Sequence, residues 1–183
     1  MTRASKNFVM AYPNFTRLVL LLLTIWVCFI LIPSFFWNKF PRDVELALLD
    51  AENVDLVSIE PLPKGRLCNN LQDFPVLGKF PVLGATALDR AEKESLVSTM
   101  WWAQVLGGGL LGCVKISAFR PRHGLRVVSK TGRIYEIILD FQCGYADVYA
   151  DGNQIAELST LRFPRATANQ LLKAHNIPIS TTE

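Results

Sequence analysis

The residues of this sequence whose types could do chemistry gather between Lys115 and Asp147, around the tetrapeptide Pro121-Arg122-His123-Gly124. From Ser95 to Tyr135 the chain carries no acidic residue, while Lys115, Arg120, Arg122, Arg126, Lys130 and Arg133 all fall inside that interval. Guanidinium forks match carboxylates and phosphates bidentately, so such a run suits a small anionic ligand or an acidic feature of a protein partner. The candidate ligand-binding set is Arg120, Arg122, His123, Arg126 and Asp140. The competing reading pairs these arginines with Glu136, Asp140 and Asp147 across a sheet, where they solvate one face. His123 beside Asp140 or Asp147 has the composition of an oriented general base, and an envelope hydrolase acting on an anionic substrate is therefore the alternative. No nucleophile is marked, because Ser117 and Ser129 lack the glycines of a nucleophile elbow. A binding or accessory role is preferred, and no catalytic residue is assigned.

The four cysteines, Cys28, Cys68, Cys113 and Cys143, show no CxxC spacing and no histidine in metal-ligand register. Neither a metal site nor a cofactor is expected. Cys113 and Cys143 fall on neighbouring or nearly neighbouring predicted strands and form the candidate disulfide if the domain is exported, with Cys68 left over; in a reducing compartment all three stay as thiols. A net charge of +3, from 19 basic and 16 acidic residues, is too small to imply a nucleic-acid partner. His175 closes the last predicted helix, where it complements the helix dipole.

The elements that must position these residues form a small α+β domain over 74–183. Asp89–Gln104 reads as a helix, with Asp89 as cap and Glu92 three residues on in capping-box spacing. An antiparallel meander follows. Its strands are Cys113–Phe119, Leu125–Ser129, Ile134–Cys143, Tyr145–Ala150 and Gln154–Leu158, with Arg120–Gly124 as the first turn and Asp151-Gly152 as a hairpin turn. On the third strand Tyr135, Ile137, Leu139 and Phe141 share one face. A second helix, Ala166–Asn176, packs on the sheet. Upstream, 38–73 reads as a connector holding one short strand at Val54–Glu60. The doubled FPVLG of 74–84 reads as a loop leading to a short edge strand, since Pro75 and Pro81 cannot donate to a ladder.

The amino-terminal part points to a membrane. Leu18–Trp37 is an uncharged apolar run, and mean hydropathy for the chain is +0.25. As a helix it would span about 30 Å, which predicts an uncleaved single-pass transmembrane helix over 18–37. Residues 1–17 carry Arg3, Lys6 and Arg17 and no acid, which places the N-terminus in the cytoplasm and the domain outside, in the periplasm or beyond a bacterial inner membrane. Thr24 and Cys28 form a small-residue strip at i, i+4, the feature of a third reading as a structural subunit of a membrane complex.

The run Phe119-Arg120-Pro121-Arg122-His123-Gly124-Leu125-Arg126, the strand Ile138-Leu139-Asp140-Phe141-Gln142-Cys143, and Val148-Tyr149-Ala150-Asp151-Gly152 keep their order ahead of a tail Ala174-His175-Asn176-Ile177-Pro178. Over roughly 74–180 this resembles a small bacterial domain family that pairs an F-x-P-R-H-G turn with a C-F-x-C strand. The resemblance implies an exported or lipid-anchored α+β domain without an assigned activity. Ala118 and Asp140 stand where the family pattern often has cysteine, so the resemblance carries no disulfide or metal onto this chain.

Overall fold

The computed structural model describes residues 17–26, 39–61, 75–107, 119–162 and 164–180. They comprise a helix over 17–26 (α1), α2 (Arg42–Asp50), β1 (Val54–Ile59), β2 (Val76–Leu77), β3 (Phe80–Ala87), α3 (Arg90–Gly107), β4 (His123–Val128), β5 (Ile134–Asp140), β6 (Tyr145–Ala150), β7 (Asn153–Ser159) and α4 (Pro164–Ala174). The strands form one antiparallel sheet, curled as a half-barrel, in the order β2-β3-β1-β4-β5-β6-β7.

The expected architecture of a transmembrane helix, a meander sheet and two packing helices is corrected in three respects. First, among the described residues no helix is long and apolar enough to cross a membrane. The described part of the run, residues 18–26, lies in the helix α1. The described residues therefore do not supply the single-pass transmembrane helix or signal anchor expected over 18–37. Residues 27–37 of that run, Cys28 among them, lie outside the described ones, and the Thr24 hydroxyl bonds back to Leu20 O at 2.8 Å.

Second, β1 is not part of a connector. It lies between β3 and β4, with Ser58 opposite Gly84 on one side and His123 on the other. Buried on both faces, it reads as a nearly continuous apolar run, as central strands do. The sheet is thus a meander only from β4 to β7. The two FPVLG copies face each other: Val76 and Leu77 of the first pair with Pro81 and Phe80 of the second around the turn at Gly78, whose φ is +57. The tight turn needs a residue tolerant of the left-handed region, and the echo is a hairpin rather than a loop.

Third, three helices pack on the sheet, not two. α2 begins after Pro41, carries Asp43 and Glu45 in its first turn, and buries Val44, Ala47 and Leu48 at i, i+3, i+4. The Tyr135 hydroxyl donates to Asp43 Oδ2 at 3.0 Å, and Lys93 Nζ donates to the carbonyls of Leu49 and Ala51 at the end of α2. α3 begins with both bonds of a capping box, Glu92 N to Asp89 Oδ1 at 2.8 Å and Asp89 N to Glu92 Oε2 at 3.0 Å. His175 Nε2 lies 2.9 Å from the other Glu92 oxygen, so it ties α4 to α3 instead of only facing its own helix end.

Alternation along the strands produces two cores. Val54, Leu56, Leu125, Tyr135, Ile137, Leu139, Ala146 and Val148 face the helices. Val57, Ile59, Ile138, Leu77 and Phe80 make a smaller cluster on the opposite face, which the β2–β3 hairpin folds over to cover. A Cβ on Gly124 would run into the Leu77 side chain, so glycine lets the hairpin close over the sheet without displacing it. Gly144 faces an obstacle that cannot move aside: its φ is +72, and a Cβ there would lie 2.5 Å from the backbone carbonyl oxygen of Thr160. Gly144→Ala is expected to lower stability by about 2 kcal/mol or more, read as the shift of the urea unfolding midpoint. A midpoint unchanged by the substitution would refute that packing.

Candidate functional site

Pro121-Arg122-His123-Gly124 is not a turn. His123 and Gly124 open β4, paired with Ser58 and Val57 on β1 and with Leu139 and Ile138 on β5. Arg122 N donates to Leu139 O, and Ile59 N to Arg122 O, so sheet bonding reaches back past the expected loop. The sequence suggests a turn because Pro121 and Gly124 punctuate it; the pairing that overrides them comes from strands about 65 and 15 residues away.

The consequence is burial of the histidine. His123 is 2% exposed on the helix face of the sheet. Its Nε2 lies 2.7 Å from Asn169 Oδ1 on α4, and its ring is tilted against Phe141 at 5.3 Å between centroids. We assign the ring proton to Nε2, because a carboxamide oxygen only accepts. Burial pushes the imidazole pKa down from 6.5 to about 4; the Asn169 hydrogen bond opposes that change, and the positive charges of Arg165 and Arg122 add to it. The predicted partners Asp140 and Asp147 do not hold this ring. Asp147 Oδ1 accepts from Gln154 Nε2 at 3.2 Å on the far side of the sheet.

Asp140 is 1% exposed and fully engaged. Its Oδ2 accepts from Arg120 N at 2.8 Å, and its Oδ1 from Gln142 N at 3.0 Å and Cys143 N at 3.1 Å. This carboxylate ties the segment entering β4 to the turn leaving β5. Arg126, one pleat past His123 in register, points to the other face. Its Nη2 lies 2.9 Å from Glu136 Oε1 and 3.0 Å from Val76 O, which pins β2. Arg126 therefore belongs to the hairpin closure and not to the cluster around His123. Cys143 is half-buried in the turn; Cys113, its candidate disulfide partner, lies outside the described residues.

Arg120, Arg122 and Arg165 line one cleft at this end of the sheet, together with His123, Asp140 and Gln142. Its free volume is ≈ 10 Å³, room for about one water molecule. Arg165 and Asn169 lie outside the run of arginines that the sequence singles out. Their signal is faint but readable: α4 buries Pro164, Ala168 and Leu172, and Arg165 and Asn169 each follow a buried position by one residue, beside the apolar stripe.

A larger hollow of ≈ 500 Å³ lies between α2 and α3, floored by Leu48 and Leu88. Most of its ionic groups serve the helices themselves: Arg90 Nε sits 2.9 Å from Glu94, Lys93 bonds the carbonyls at the end of α2, and Asp89 caps α3. Among the described residues no group of His, Cys, Asp and Glu is arranged to hold a metal ion. No family model, curated protein or solved structure matches the chain.

Proposed function

We propose that this domain is a binding module that docks an anionic group, a carboxylate or phosphate presented by a protein partner, between Arg122 and Arg165. The observation that carries the reading is convergence. Arg120 and Arg122 come from the segment entering β4 and Arg165 from the first turn of α4, yet they line one cleft. The carboxylate in that cleft, Asp140, has its oxygens turned to three backbone amides. The first turn of α4 carries no acid, so the positive end of the helix adds to the same field. A cleft with room for about one water takes an anionic head group at its mouth and not an engulfed metabolite, which favours the exposed group of a larger partner.

Sulfate is a suitable probe, because its charge is constant over the working pH range. In an amide NMR titration, sulfate is expected to shift Arg120–Gly124, Gln142–Gly144 and the first turn of α4. Arg165 is exposed, so Arg165→Glu should weaken sulfate about tenfold or more while leaving the unfolding midpoint within about 0.5 kcal/mol of the native one. Shifts scattered over the surface, or an affinity indifferent to Arg165→Glu, would sink the proposal.

A further inference from the structure

Behind the cleft stands a group that the docking reading leaves unused. His123 is buried beneath the arginines, held by Asn169, and Asn169 follows Arg165 by four residues on α4. Residues at i and i+4 of a helix lie one above the other on the same face. One short hydrogen bond therefore fixes both the ring and the helix face that carries Arg165.

Resting on the anion reading of the cleft, we propose that anion binding there is linked to protonation of His123, with Asn169 as the positioning residue that holds the ring and Arg165 in one frame. The charged groups that face the ring are Arg122 ahead of β4, Arg165 on α4, and Arg120 and Asp140 across the cleft. From the neighbouring strands the residues opposite it are the neutral Ser58 and Leu139. Arg165 and Arg122 both oppose a proton on the ring. An anion seated between them cancels that field, so the ring accepts a proton more readily when the cleft is filled. Binding linkage is reciprocal, and the protonated domain must then hold the anion more tightly by the same factor.

The ring also has a place for its second proton. With Nε2 bound to Asn169, protonation occurs at Nδ1 and requires a new acceptor. The Ser58 hydroxyl is fully buried, makes no hydrogen bond among the described residues, and belongs to the residue directly opposite His123 across the β1–β4 ladder. Directly opposed residues of an antiparallel pair have Cβ atoms about 5 Å apart, within reach of a hydroxyl rotation and a small ring adjustment.

The test follows the His123 ring resonances with pH in the whole domain, in saturating sulfate and in chloride at equal ionic strength. Sulfate is expected to raise the His123 titration midpoint by about one pH unit, equivalent to about tenfold tighter sulfate binding by the protonated form. In Asn169→Ala, the His123 midpoint should no longer respond to sulfate, and sulfate affinity should fall severalfold. Asn169→Asp keeps an acceptor for Nε2 and should restore the ring's hydrogen bond, with a midpoint above the native one. If sulfate shifts the cleft amides but leaves the native His123 midpoint unmoved, the linkage is wrong and the docking site stands. If sulfate binds nowhere near the cleft, the docking reading and the linkage fall together. The native-protein titration decides between these cases even if Asn169→Ala fails to fold.

Discussion

Taking this domain from neutrality to about pH 4 is expected to cost about 3 kcal/mol of stability through His123 alone. The ring's pKa is lowered from 6.5 to about 4 in the fold, chiefly by burial. The unfolded chain therefore binds a proton between those values that the native state refuses, and stability rises with pH across that window. The contribution is complete above about pH 6.5 and lost progressively as pH falls towards 4. The gap between the unfolded and native values corresponds to about 3 kcal/mol, a large share of the roughly 5–15 kcal/mol typical of a domain. Carboxylates titrate in the same range, so the measurement is a difference: urea unfolding of the native protein and of His123→Gln as a function of pH. The native curve should fall more steeply from about pH 6.5 downward, and sulfate should soften that fall if the cleft and the ring are linked. Parallel curves for the two proteins would show that the imidazole does not resist protonation in the fold.

Asp140→Ala should lower stability by about 3 kcal/mol or more. The substitution deprives three backbone N–H groups, those of Arg120, Gln142 and Cys143, of their acceptor at a site where the residue is 1% exposed. A buried donor left unsatisfied costs about 1–3 kcal/mol, and here three lose one partner together. Asp140→Asn should fall between alanine and the native residue, because one carboxamide oxygen can replace one of the two carboxylate oxygens while the NH₂ confronts an amide donor. Chemical denaturation measures both, and amide exchange at Arg120 and Cys143 should accelerate ahead of global unfolding. Asp140→Ala within about 0.5 kcal/mol of the native protein would mean that these amides find water at no cost. The same substitution separates the roles of the two buried polar groups. Asp140 builds the cleft wall, whereas His123 senses the charge in front of it.

The local signals in the sequence proved to be the dependable ones. Asp151-Gly152 forms a two-residue hairpin with both φ values positive, +49 and +82, because only such residues tolerate that turn. Asp89 and Glu92 cap α3 because both bonds lie within one turn. The apolar face of Tyr135, Ile137, Leu139 and Phe141 lies in the main core. All of these depend on residues within a few positions of one another. The failures share a different cause. Ser58 and His123 stand 65 residues apart and nothing in either's surroundings announces their pairing. Arg126 looks like a neighbour of His123 along the chain, but the pleat sends it to the opposite face to meet Glu136 and Val76. The uncharged run at 18–37 suggests a full membrane span, but among the described residues no helix is long and apolar enough to make one.

The strands from 125 onward, the cap of α3, the turn at Asp151-Gly152 and the concentration of arginines around one histidine are thus legible in the residues alone, since each follows from propensity and charge at short range. Only the tertiary structure decided that β1 fills the centre of the sheet, that His123 is buried against Asn169 instead of oriented by an aspartate, and that Arg165 joins Arg122 at one cleft. Those arrangements arise from backbone pairing and apolar burial between distant segments, energies that no short stretch of the chain can display.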